Sequence, residues 1–135
     1  MADDCIFCSI LAGDMPGEVV MEDEHTVALM DIAPWTRGHA VVIPRRHVTN
    51  LYEIDDEELA RVHATARRLA IRVRDALGAD GVNTLNSTNP AAWQTIFHFH
   101  VHVIPRYEGD PLELPTRPQK VSPEDLAEVA SEIRE

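Results

Sequence analysis

An α+β fold is what this 135-residue sequence predicts, on three observations. Short β-branched or apolar runs are parted by turn residues, one long segment is apolar at every third or fourth position, and a closing segment is capped as a helix. The runs Glu18 to Asp23 ("EVVMED"), Thr26 to Ile32 ("TVALMDI") and His39 to Pro44 ("HAVVIP") read as strands, with two hairpin-like connections between them. From Asp56 to Leu77, Leu59, Val62, Ala66, Leu69, Val73 and Leu77 share one helical face. Asp55 or Asp56 can cap that helix, and Gly78 stands where a left-handed residue ends one. "GVNTLNS" (Gly81 to Ser87) reads as a further strand, the polar stretch "TNPAAWQT" as a loop, and "FHFHVHVIP" (Phe97 to Pro105) as the last strand. At about residues 122–134, Ser122 is the N-cap, Pro123 is N1, Asp125 is N3, and Leu126, Val129 and Ile133 form the stripe of a docked terminal helix. The pattern carries no strand order.

Composition narrows the function. The length suits one domain over residues 1–135, able to bury roughly two thirds of its unfolded surface. A formal net charge of -11 argues against a general nucleic-acid binder, because non-specific affinity for phosphates rests on clustered basic residues. A small anion held by local groups is compatible with it. Among twelve basic residues only Lys120 is lysine, so the cations are planar guanidiniums suited to phosphate or carboxylate. The start "MADDCIFC" is acidic and lacks a secretory pattern, and no apolar run approaches membrane-spanning length, so a cytoplasmic location with no membrane partner is expected.

Three of the seven histidines fall in five residues, at alternate positions. On a strand, His98, His100 and His102 would share one face about 6.6 Å apart, with Phe97, Phe99, Val101 and Val103 turned into a core on the other. A solvated polar face normally mixes Thr, Lys and Glu, so three imidazoles in register point to a metal site or to phosphate chemistry. With an ordinary pKa near 6.5, one imidazole attacks a phosphorus or acyl centre while a neighbour holds the charge that develops. His25 and His63 read as surface or boundary residues.

"HFHVHVI" resembles the His-φ-His-φ-His-φ-φ signature of the histidine triad superfamily of nucleotide hydrolases and transferases. The likeness covers nearly the whole chain: "CIFCSILAGDMPGEVVMEDEHTVALMDIAP", "GHAVVIPRRHV", "NTLNS" and "QTIFHFHVHVIPR" follow the bacterial Hit and Hint-type branch in order and spacing. The resemblance implies a five-stranded antiparallel sheet with one central and one C-terminal helix, paired with a second copy into a ten-stranded sheet. The histidine strand, read as an edge with no charged guard, agrees with such a homodimer. It makes His100 the nucleophile that takes a nucleotidyl group, His102 a contact of the same phosphate, and His39 a further active-site histidine. Gln94 and Thr95 would touch phosphate and leaving group. Asp31, with Ile32 beside it, would accept the ribose hydroxyls, Asn86 would support the phosphate side, and Ile6, Phe7, Ile10 and Leu29 would wall the base. Each has a plainer role as well: Asp31 ends a strand, Asn86 sits in a turn, and the apolar four suit a core. No catalytic divalent cation is required. One departure stands out: Ala92 and Trp93 occupy positions that are often glycine in the family.

Cys5 and Cys8, as C-x-x-C, supply two thiolates to a metal or a redox pair; a closed zinc site wants four ligands, and histidines must provide the rest. The spacing alone leaves zinc, redox and reduced bystander cysteines open. The resemblance implies structural zinc held by Cys5, Cys8, His47 and His98. Four functions compete: hydrolysis or nucleotidyl transfer on purine nucleoside phosphoramidates or related conjugates, hydrolysis of dinucleoside polyphosphates, a nucleotide-binding or interaction module with incidental catalysis, and metal storage or relay. The DNA-deadenylating branch usually adds a basic zinc finger, which this acidic C-terminus lacks, so no stable nucleic-acid partner is expected.

Overall fold

Two antiparallel strands, β2 (Thr26–Met30) and β3 (Ala40–Pro44), are buried along nearly their whole length because the sheet is covered on both faces. In the computed structural model, which describes residues 4–113 and 116–134, the other elements are α1 (Ile6–Leu11), β1 (Val19–Glu22), α2 (Asp56–Leu77), β4 (Gly81–Leu85), a single 3-10 turn (Pro90–Ala92), β5 (Val101–Arg106) and α3 (Pro123–Arg134). The sheet has five strands in the order β1-β2-β3-β5-β4, all pairs antiparallel. The strand carrying the histidines is therefore not an edge as the sequence suggested; β1 and β4 are the edges.

Strand alternation sorts the side chains between two layers. Ala28, Ala40, Val42, Phe99, Val101 and Val103 face α2 and pack with Val62, Ala66, Leu69 and Val73. Burial of Phe99 contributes about 1.5–3 kcal/mol of transfer free energy. Val27, Leu29, Val41 and Ile43 face the other way and pack with Phe7 of α1. Helix α2 begins where Asp55 accepts the Glu58 N–H at 2.8 Å and ends at Gly78, whose φ of 71° is left-handed. Gly38, at φ 93°, holds a backbone conformation that favours glycine, and a Cβ there would also displace the Leu77 side chain, whose Cδ1 it would approach to 2.5 Å.

Helix α1 was not expected from the sequence, since six residues span under two turns and show no readable period. Cys5 caps it, its Sγ accepting the Cys8 N–H at 3.3 Å. The histidine strand is shorter than its sequence alternation. Its ladder begins at Val101, because β3 pairs with it only over Ala40–Val42 and β4 only from Leu85 opposite His102. Before that point the Phe99 N–H donates to Val48 O at 2.7 Å. Phe97 correspondingly misses the core and is 45% exposed. Likewise β2 stops at Met30, leaving Ile32 exposed.

The C-terminal helix forms as capped, with Ser122 Oγ accepting the Asp125 N–H at 3.1 Å. It is not docked: Leu126, Val129 and Ile133 are all exposed. An apolar stripe records that a helix has a face to cover, not which chain covers it. Among the described residues no helix is long and apolar enough to cross a membrane.

Candidate functional site

On the sheet face opposite α2, the alternation that buries Phe99 and Val101 turns His98, His100 and His102 toward α1 and the β2–β3 connection. Each ring meets different partners. Phe7 meets His98 and His100 in T-shaped contacts, with centroids 5.7 and 5.3 Å away, whereas Trp35 lies over His102 at 6.1 Å and nearly parallel.

His98 is fully buried. Its Nε2 lies 2.8 Å from Pro44 O, and a carbonyl only accepts, so Nε2 carries the proton and Nδ1 keeps its lone pair. That Nδ1 lies 3.3 Å from Cys5 Sγ, 3.5 Å from Cys8 Sγ and 3.1 Å from His47 Nδ1, and Cys8 Sγ is 3.4 Å from His47 Nδ1. With zinc–sulfur and zinc–nitrogen bonds of about 2.3 and 2.0–2.1 Å, ligand atoms of a tetrahedral site stand about 3.3–3.8 Å apart. The four donors fit, and the Pro44 carbonyl is the second-sphere bond that orients a ligating histidine. Burial, with Cys5 beside it, raises the Cys8 thiol to about 11, and a bound dication favours the thiolate instead. Bound there, zinc would cross-link α1 to the segments carrying His47 and His98.

His100 is also buried, and its Nδ1 lies 2.8 Å from His98 O. Nδ1 is therefore protonated and Nε2 carries the free lone pair. Burial holds the imidazole below its ordinary pKa, so the ring is neutral near pH 7. Asn86 donates from Nδ2 to His100 O at 2.9 Å and fixes the backbone on the other side. Expected on the phosphate side, Asn86 braces the histidine; its neighbour Ser87 is the residue that faces the cavity.

The third unit is a chain of hydrogen bonds. The Trp35 N–H donates to His39 Nδ1 at 3.0 Å, which places the His39 proton on Nε2. That nitrogen donates to His102 Nδ1 at 2.9 Å, which leaves His102 protonated at Nε2. Burial lowers His102 to about 4, with His100 and His39 adding to it, and burial also holds His39 low against the pull of Asp31. Asp31 Oδ2 stands 3.5 Å from His39 Nε2 and 3.7 Å from His102 Nδ1, while its Oδ1 accepts the Ala33 N–H. Asp31, His39 and His102 are close enough to hold a cation together. A metal on His39 Nε2 would, however, need the ring as imidazolate, because Nδ1 already accepts a backbone hydrogen. The cluster reads as a polar relay.

These groups border a cavity of about 610 Å³. Ile6, Phe7, Ile10, Leu29, Asp31, Ile32, Thr95, His100 and His102, all singled out in the sequence, line it; His39 lies just behind. Gln94 does not face it. Its Oε1 accepts the Asn89 N–H and its Nε2 donates to Thr49 O and Ile96 O, so it clamps the loop in which Asn89 and Trp93 both hold positive φ. Sequence reading missed Ser87 and Trp35; the second sits between Asp31 and His39, and its place four residues before His39 was the available signal.

A model of the HIT domain matches residues 12–109. The crystal structure of a HIT-family protein from Bacillus subtilis is similar at a TM-score of 0.90 and 41% identity, covering 98% of this chain and 96% of that one. The adenosine 5′-monophosphoramidase hnt1 of Schizosaccharomyces pombe is 34% identical over 132 residues, 96% of this chain and 95% of its own. A zinc-bound histidine triad family protein from Mycobacterium smegmatis is similar at a TM-score of 0.81 and 37% identity, over 98% and 99% of the two chains.

Elemental analysis of the purified protein is expected to find about one zinc per chain, falling below about a tenth in Cys8→Ser. Equal metal content in the two proteins would refute the four-ligand site.

Proposed function

Because this chain belongs to the HIT family, we propose that it hydrolyses purine nucleoside phosphoramidates or related mononucleotide conjugates through a nucleotidyl-histidine on His100. The observation that carries this reading is the His100 tautomer. With Nδ1–H committed to His98 O, the Nε2 lone pair is available beside the cavity without prior loss of a proton.

In the first step His100 Nε2 bonds to the α-phosphorus and the bond to the leaving nitrogen breaks. The amine departs with a proton taken from water. In the second step water attacks phosphorus and gives up a proton to the solvent, replacing the one taken in the first step, while the phosphorus–His100 bond breaks and the nucleotide leaves with Nε2 again unprotonated. His102 Nε2–H donates to a non-bridging oxygen in both steps, and the His39 bond to its Nδ1 prevents the other tautomer. Thr95 adds a hydroxyl at the cavity wall, Asp31 accepts the ribose hydroxyls with Ile32 beside it, and Ile6, Phe7, Ile10 and Leu29 take the base. Gln94 and Asn86 act as positioning residues. The yeast relative's name supports the phosphoramidase class.

We place the protein in the cytoplasm as one domain and as a homodimer in which the open side of β4 extends the sheet to ten strands. What supports the dimer is that, among the described residues, β4 pairs with β5 alone and leaves its other side open.

Incubation with adenosine 5′-phosphoramidate is expected to yield AMP, with His100→Ala slowed about a thousandfold or more. Intact mass after rapid quenching should add one adenylyl group at His100, and undiminished turnover in the variant would refute the nucleophile.

The acid limb of kcat/KM should lie below the ordinary imidazole range. Burial keeps His100 neutral as pH falls through about 6.5, so activity holds there and is lost only lower, when Nε2 gains a proton. Half-loss at or above pH 6.5 would contradict this.

Sedimentation equilibrium should give twice the chain's 15.1 kDa. A monomer mass refutes the dimer.

A further inference from the structure

The chain has two tryptophans, Trp35 and Trp93, and both line the cavity that reaches His100 and His102. Both also remain open to solvent, at 51% and 62% exposure, although tryptophan is on average a well-buried residue. Neither is free to turn away as a chain end would be. The Trp35 backbone is tied to His39 Nδ1, and its ring stacks on His102 within 10° of parallel while meeting His39 edge-on at 5.4 Å. Trp93 follows the 3-10 turn in a left-handed conformation at φ 76°, where a glycine would be unstrained, and its N–H is bonded to Pro90 O. A strained, exposed tryptophan on a clamped loop has no packing reason to be there.

The cavity is also polarised. Phe7 contacts the His98 and His100 rings, whereas Trp35 contacts His102 and His39. The α1 wall beside Phe7 is taken by the base and Asp31 by the ribose in the reading above, which leaves the two exposed indoles of the cavity lining for the other substituent on phosphorus.

We propose that Trp35 and Trp93 are specificity residues for a flat aromatic leaving group, which stacks on indole as it departs past His102. The inference rests on the hydrolase reading and deepens it: the preferred substrates are nucleoside phosphoramidates of amines that bear an aromatic ring, over those of small alkyl amines without one.

The test compares adenosine 5′-phosphoramidates of phenylethylamine and of ethylamine, two primary alkylamines of similar basicity, so that stacking and not leaving-group strength is varied. The wild type should favour the phenylethyl conjugate about tenfold in kcat/KM, the upper end for one aromatic contact. In Trp35→Ala and in Trp93→Ala the ratio should fall toward one, and Trp35→Phe should restore most of it. A ratio within one variant cancels any general loss of catalysis through His102. Binding is read independently in His100→Ala, where both tryptophans remain: the phenylethyl conjugate should quench intrinsic fluorescence with a Kd about tenfold below that of the ethyl conjugate. Equal turnover of both conjugates by the wild type leaves the hydrolase reading standing and overturns the tryptophan assignment. A preference that persists in both alanine variants, or variants that change only adenosine-over-uridine selection at a fixed leaving group, overturns it too. Turnover of neither conjugate overturns the hydrolase reading and this inference with it.

Discussion

The hydrogen bond from His100 Nδ1 to the His98 carbonyl is the constraint on which the site depends, because it decides which nitrogen of a buried neutral ring is free to react. His98 can offer that carbonyl in one place only, since its own ring is held at both nitrogens: Nε2–H by Pro44 O, Nδ1 among Cys5, Cys8 and His47. The donor cluster and His100 are thus adjacent links of one backbone segment. A residue outside the cavity lining orients a side chain within it.

The segment is held there by a sheet with two covered faces. Phe99, Val101 and Val103 lock the chain against α2, so the intervening residues are displayed toward α1 without a choice of register. Slipping the strand by one residue would bury three imidazoles in the apolar layer against α2 and expose Phe99, at a cost of several kcal/mol. The same register sets Val41 opposite His102 and brings the β2–β3 connection, with Asp31, Trp35 and His39, over the third histidine.

Burial then gives the rings their different chemistry. Desolvation disfavours the imidazolium at His39, His98, His100 and His102 alike, so all four stay neutral and each tautomer is dictated by one fixed partner. His100 shows the site a lone pair and His102 shows it an N–H, which is the pairing that attack on an anionic phosphorus centre needs. Identical side chains on one strand face thereby present a free lone pair, an N–H donor and a nitrogen within a four-donor cluster.

Much of this was legible in the sequence because it is local. Strand and helix periods, the caps at Asp55, Gly78 and Ser122, and the outward set His98, His100, His102 depend on spacing along the chain, which the sequence states directly. The sequence by itself determined the α+β class and the histidine face, and its resemblance to the histidine triad superfamily implied the four donors that the fold brings together. It did not determine strand order, the early end of the β5 ladder that leaves Phe97 outside the core, or the undocked stripe of α3, because each depends on which distant segment arrives as a neighbour. Nor did it show that Gln94 and Asn86 turn to backbone groups while Ser87 and Trp35 reach the cavity. A side chain's partner is chosen by the lowest free energy among groups brought together only on folding, and that choice belongs to the tertiary structure.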